Sequence, residues 1–142
     1  MYNYQVFKND EAEMAPWGKG ENTMPRIMIV DDAAFMRMMI KENLKKVGFS
    51  DFVEAGNGEE AVTLFSETQP DLVLLDITMP IKDGLTALQE IRDSDAGAKV
   101  VICSAMGQES MVIEAVKLGA LDFIVKPFKP ERLVQTVKNV LE

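Results

Sequence analysis

Five side chains able to do chemistry each stand where a short apolar run stops. Asp31 and Asp32 follow "RIMIV", Asp76 follows "DLVLL", Ser104 follows "AKVVIC" and Lys126 follows "LDFIV". Asp76 is the most informative of them. An aspartate is almost never fully buried unless it is paired, yet Leu72 to Leu75 lead straight into this one. If the five converge, three carboxylates face one another and repel unless a proton or a cation intervenes. Lys126 supplies one positive charge. A hard divalent ion, Mg²⁺ or alternatively Mn²⁺, would supply the rest, because carboxylate and water oxygens are the ligands such ions take. Asp31 or Asp32, one oxygen of Asp76 and a backbone carbonyl just beyond it would leave positions for water and a phosphate. A cation, a lysine and a hydroxyl around a carboxylate are what phosphoryl transfer to that carboxylate requires. Asp76 would attack as the nucleophile while the metal and Lys126 offset charge on the transferring group.

Taken singly, each residue has a plainer reading. Asp32 would cap a helix, Asp31 would be a solvated strand end, Ser104 a turn or cap, and Lys126 before Pro127 a solvated lysine at a turn. The elements that must position them decide between the readings. Apolar periodicity predicts strands at 26–30, 51–55, 71–75, 98–103 and 121–125, with the more polar "DFVEA" at 51–55 suited to a sheet edge. Helices are predicted at 35–47, 59–66, 85–91, 108–118 and 130–141. In the first, Met36, Met39, Ile40, Leu44 and Val47 line one side and Arg37, Lys41, Glu42, Lys45 and Lys46 the other. Gly48 and Gly119 stand where helices should end, and Pro130 where one should begin. Short, doubly apolar strands alternating with helices imply a parallel sheet covered on both faces, with a doubly wound order leading. In such sheets ligands bind outside the carboxyl ends of the strands. All five residues would then arrive at one edge.

Composition removes several classes of function. The 142 residues suit one domain, and no apolar stretch approaches the roughly 20 residues of a membrane helix. The net charge of −8 argues against nonspecific nucleic-acid binding and suits a basic partner or a bound cation. The chain has no histidine, which excludes Ser-His-Asp and Cys-His mechanisms. Cys103 is the only cysteine, so neither an internal disulfide nor a Cys-rich zinc site is expected. A cytoplasmic monomer without a membrane segment fits best. Residues 1–24 read as a flexible N-terminal extension, native tail or expression remnant. They contain Tyr2, Tyr4, Trp17 and the linker-like "PWGKGEN". The domain proper is expected over 25–142.

These residues together resemble a response-regulator receiver domain of the CheY-like family. The resemblance is carried by Asp31-Asp32, by "DITMP" around Asp76, by Asp83-Gly84, by Ser104-Ala105 and by "KPF" from Lys126. "DDAAFMRMMIKENLKKVGF" further resembles the single-domain chemotaxis branch, particularly at Met36-Arg37 and Val47-Gly48-Phe49. The resemblance implies a flavodoxin-like, five-stranded parallel sheet of order 2-1-3-4-5 with five helices. It implies that Asp76 is the phosphoacceptor. Asp31, Asp32 and Asp76 would hold Mg²⁺ with the backbone carbonyl of Thr78, Asp32 being the more direct of the acidic pair. Ser104 would bond the phosphoryl group, Lys126 would pair with one of its oxygens before a cis Lys126-Pro127 peptide, and Phe123 would be the aromatic switch. Against the best-known chemotaxis member, Phe123 lacks a tyrosine's hydroxyl and Ile77 replaces a tryptophan. Thr78 and Met106 occupy the two positions that tune loss of the phosphoryl group, where Asn and Glu would be looked for.

The expected output is protein binding. Helix 108–118 is apolar nearly all round, so it is either deeply packed or presents a strip, with Met111, Val112 and Phe123 on a partner face. Met38, on the polar side of the first helix, reads as a lone exposed apolar residue. Expected partners are a CheA-like sensor histidine kinase, a flagellar motor switch protein or other downstream protein, and a phosphatase. A single-domain phosphorelay intermediate is the alternative. An aspartate-nucleophile phosphatase is remote, because Thr78 stands where such enzymes place a second acid. A flavin carrier is remoter still, because no Ser/Thr/Gly-rich phosphate loop follows the first strand.

Overall fold

The computed structural model describes residues 24–79 and 83–142. The extension expected over 1–24 therefore lies outside the described residues except for Met24, as does Pro80 of "DITMP".

Five strands alternate with five helices: β1 (Arg26–Val30), α1 (Ala34–Lys45), β2 (Asp51–Ala55), α2 (Gly58–Thr68), β3 (Leu72–Asp76), α3 (Gly84–Ser94), β4 (Val100–Ala105), α4 (Glu109–Lys117), β5 (Asp122–Lys126) and α5 (Pro130–Leu141). The strands form one parallel sheet in the order β2-β1-β3-β4-β5. The polar "DFVEA" strand is at an edge, as its composition suggested, and the fully buried β3 is central.

Side chains alternate between the two faces of a strand, so each strand serves two cores. Ile27, Ile29, Leu72, Leu74, Val101, Cys103 and Ile124 face α1 and α5, meeting Ile40, Leu44, Leu133 and Val137. Met28, Val30, Val73, Leu75, Val100 and Ile102 face the other side and meet Ala61, Phe65, Leu88, Ile91 and Ala115. Local chemistry fixes the helix ends. Asn57 accepts a bond from the Glu60 N–H while Glu60 reaches back to the Gly56 N–H, a reciprocal cap for α2. Asp83 caps α3 through the Thr86 N–H. Gly48, at φ 105°, turns the chain out of α1 in the left-handed region that favours glycine.

The boundaries depart from the apolar pattern in both directions at helix ends and in one direction at the ends of β3, β4 and β5. Helix α1 stops at Lys45 rather than residue 47, and α3 runs on to Ser94 rather than residue 91. Strands β3, β4 and β5 extend one or two residues past their apolar runs. The ladder pairs Asp76 with Cys103 and Ala105 with Lys126, because main-chain pairing does not stop where hydrophobicity does. Asp76, Ser104 and Lys126 are thus held inside the sheet rather than in the loops beyond it.

Candidate functional site

Alternation along the strands explains the geometry of the acidic site. Asp76 follows Leu72 and Leu74 on the face toward α1 and α5, and Lys126 follows Ile124 there. Asp31 continues the Ile27-Ile29 parity one residue beyond β1. The result is a charged cluster at the carboxyl edge of β1, β3 and β5, with β4 lying between the last two. Asp31 and Asp76 are only 2% and 6% exposed. Lys126 Nζ donates to Asp31 Oδ2 at 2.7 Å and lies 3.6 Å from Asp76 Oδ2. The Thr78 N–H donates to Asp76 Oδ1 at 3.1 Å, and the Ala33 N–H to Asp31 Oδ1 at 2.9 Å.

The electrostatics follow from burial and proximity. Burial raises the Asp76 carboxyl above its ordinary value, and the charges of Asp31 and Asp32 add to that. The Thr78 N–H and Lys126 oppose the rise without cancelling it. Burial alone would lower Lys126. The Asp31 hydrogen bond and the charges of Asp76 and Asp31 outweigh it and hold the ammonium above its usual range. Beneath the cluster, burial pushes the Cys103 thiol up to about 12, which makes it inert rather than nucleophilic.

One carboxylate oxygen from each of Asp31, Asp32 and Asp76 lies within 4.8 Å of the others. Three hard oxygen donors with a solvent-facing member, Asp32, fit a divalent cation such as Mg²⁺. The plainer readings lose ground here. Asp32 does not cap α1, whose N-cap is Ala33 without a side-chain bond. Ser104 is 1% exposed within β4 and is not the N-cap of α4, which is Gln108. Lys126 is paired rather than solvated. The Lys126-Pro127 peptide is cis.

Ser104 and Phe123 belong to the opposite parity, on the side of α4. Phe123 is 37% exposed and lines a groove of about 620 Å³ with Met106, Val112, Ile113, Val116 and Val125. Of the apolar residues of α4, only Ala115 is fully buried, which favours the exposed strip over the deeply packed helix. Met111, expected on the partner face, instead packs half-buried against the core and is not among the groove's lining residues. Met38 is not alone either: Phe35, one helical turn earlier, is 65% exposed.

Three contributors were given no role at the site from sequence. Arg37 donates from α1 to the Asp31 carbonyl at 2.6 Å and to Glu54 at 2.9 Å, tying the acidic turn to β2. Gly84 lies so close under the chain that an added Cβ would fall within 3.0 Å of the Asp76 carbonyl oxygen and the Ile77 Cα. Gln108 bonds both Ala105 and Thr78. Of these, Gly84 left a signal, its place beside the helix-capping Asp83. Gln108 left a faint one, a long amide where a short cap residue is usual.

The profile of the response regulator receiver domain family matches residues 27–138. The chain is 58% identical to chemotaxis protein CheY of Bacillus subtilis (strain 168) over 116 residues, 82% of this chain and 97% of that one. It is 55% identical to chemotaxis protein CheY of Thermotoga maritima over 115 residues, 81% of this chain and 96% of that one. Among solved structures, the receiver domain of NtrX from Brucella abortus superposes with a TM-score of 0.77 at 32% identity, covering 81% of this chain and 97% of that one.

Proposed function

The chain belongs to the response regulator receiver domain family, and from that premise we propose that it is a chemotaxis-type switch phosphorylated on Asp76. The observation that carries this reading is the buried Asp76 carboxylate at the end of the central strand, faced by Lys126 and by two further acidic residues. In the reaction proposed, an Asp76 oxygen attacks phosphorus and forms the acyl-phosphate bond. The bond from phosphorus to its donor breaks, and its electron pair leaves with the donor's imidazole or acetate. The chain has no histidine, so a separate phosphohistidine kinase of the CheA-like type, or a small acyl phosphate, must be the donor. Asp31, Asp32, Asp76 and the Thr78 carbonyl would hold Mg²⁺, which supplies charge neutralisation on the transferring group. Lys126 adds a second positive charge there, and the Ser104 hydroxyl offers a hydrogen bond to a phosphoryl oxygen.

The phosphoryl group brings roughly −1.5 to −2 charge, enough to bias the loop after β4 and Phe123 between two arrangements. The apolar groove along α4 and β5 supports a readout by protein binding, with a flagellar motor switch protein as the expected partner. Thr78 and Met106, at the rim, would tune loss of the phosphoryl group and recognition by any phosphatase. The test is uptake of one labelled phosphoryl group per chain from a kinase or acetyl phosphate. Uptake should require Mg²⁺ and disappear in Asp76→Ala. Label retained by Asp76→Ala would show that another residue is the acceptor.

A further inference from the structure

We propose that Gln108 is a positioning residue for the chemistry at Asp76: its amide clasps the two loops flanking the carboxylate and, through Thr78, slows attack of water on the phosphorylated form. This rests on the reading of Asp76 as the phosphoacceptor.

Gln108 is the N-cap of α4, where a short polar side chain normally turns back onto the helix's own N–H groups. Its side chain makes no such cap. Oε1 instead accepts a bond from the Ala105 N–H at 2.8 Å, and Nε2 donates to Thr78 Oγ1. Chemistry fixes this orientation, since only the amide oxygen can accept from Ala105 and the nitrogen is then left facing Thr78. Both partners abut the site. Ala105 ends β4 in register with Lys126, and the Thr78 N–H is bonded to Asp76 Oδ1. One side chain therefore joins the end of β4 to the chain just beyond β3, across 30 residues of sequence.

Among the described residues, little else holds the β4–α4 loop. Met106 is 77% exposed, and Gly107, at φ 89°, has open space around its Cα. Among the described residues, the Gln108 clasp is the side-chain bond that ties this segment to the chain beyond β3. Hydrolysis of an acyl phosphate needs a water oxygen to attack phosphorus opposite the Asp76 oxygen. The bond from phosphorus to that oxygen breaks, the carboxylate leaves with the electron pair, and the water's proton passes to the phosphate or solvent. Asp76 ends its strand at the sheet edge, so the in-line path runs outward, through the mouth that Thr78, Ala105 and Gln108 border. A closed clasp holds the Thr78 hydroxyl in place and narrows that path.

The test compares wild type, Gln108→Met, Thr78→Val and the double variant, each loaded with labelled acetyl phosphate and Mg²⁺ and then freed of donor. Methionine keeps the length of glutamine and removes both hydrogen bonds. Gln108→Met should lose label about fivefold faster than wild type, the rate equivalent of one neutral hydrogen bond. The double variant should lose it no faster than Thr78→Val alone. In the unphosphorylated protein the Ala105 amide should exchange with solvent severalfold faster in Gln108→Met, with the β3 amides unchanged. If wild type takes up label while Gln108→Met keeps the wild-type lifetime, or if the two effects multiply in the double variant, the clasp is refuted and Asp76 stands. If wild type takes up no label on Asp76, the phosphoacceptor reading falls and this inference falls with it.

Discussion

Replacing the proposed phosphoacceptor by its neutral isostere should stabilise the ion-free protein. The oxygens of Asp31, Asp32 and Asp76 lie within 4.8 Å of one another. Like charges at such a distance repel by about 3.5 kcal/mol at an effective dielectric of about 20, and Asp76 has two such neighbours. Lys126 Nζ, 3.6 Å from Asp76 Oδ2, returns about 4.6 kcal/mol on the same scale but is shared with Asp31. The balance at Asp76 is therefore unfavourable by about 1–2 kcal/mol once partial solvent screening is allowed for, and burial adds to it. The raised Asp76 carboxyl agrees in direction. A carboxyl held above its ordinary value binds its proton more tightly folded than unfolded. Its contribution to stability is fully present below the unfolded value near 3.8 and is lost as pH rises through the folded value. At neutral pH the whole cost is present. Asp76→Asn should then exceed wild type by about 1–2 kcal/mol at pH 7.5 in EDTA, roughly 4 °C in Tm per kcal/mol for a domain of this size. The advantage should shrink toward pH 4. It should also shrink in MgCl₂, since an ion at a hundred times its Kd stabilises wild type by about 2.7 kcal/mol and the amide is a poorer ligand. Urea and thermal denaturation at pH 7.5, 5.5 and 4, with EDTA or MgCl₂, measure all of this. An Asp76→Asn variant no more stable than wild type at pH 7.5 in EDTA, or one whose advantage grows as pH falls, would refute the reasoning.

Lys126→Met strands two buried carboxylates and should cost about 2–3 kcal/mol in EDTA, short of a fully buried pair because the lysine is 20% exposed; urea denaturation measures this, and Mg²⁺ should recover part of the loss. Gly84→Ala places a methyl against the main chain at Asp76 and Ile77, so the backbone must move; a loss of about 1–3 kcal/mol and a fall in phosphoryl uptake are expected, by denaturation and label incorporation. Cys103 is buried with its thiol pushed up to about 12, so a thiol-disulfide reagent should react only as fast as the protein opens, and unfolding in urea should release the full reactivity.

The alternation of short apolar runs with helical periods by itself determined the layer architecture, because strands buried on both faces and separated by helices need a parallel sheet covered on each side. It also held the parity of the site. Ile27, Ile29 and Asp31, Leu72, Leu74 and Asp76, and Ile124 and Lys126 are each spaced by two, so the face each charge would share was written in the chain before any contact was known. Strand ends were not legible in that way, since they depend on the neighbouring ladder, which carried Asp76, Ser104 and Lys126 into the sheet. The covered side of α4 and the exposure of Phe35 were not legible for a related reason. A helix that is apolar nearly all round does not show which side its neighbours cover, and a phenylalanine at a helix start does not show that it faces water. Only the tertiary structure placed Gln108 against Thr78 and Arg37 against Asp31. Periodicity shows which face a residue shares along one element, whereas the Gln108–Thr78 bond joins two loops 30 residues apart and the Arg37–Asp31 bond turns from a helix back onto the loop before it.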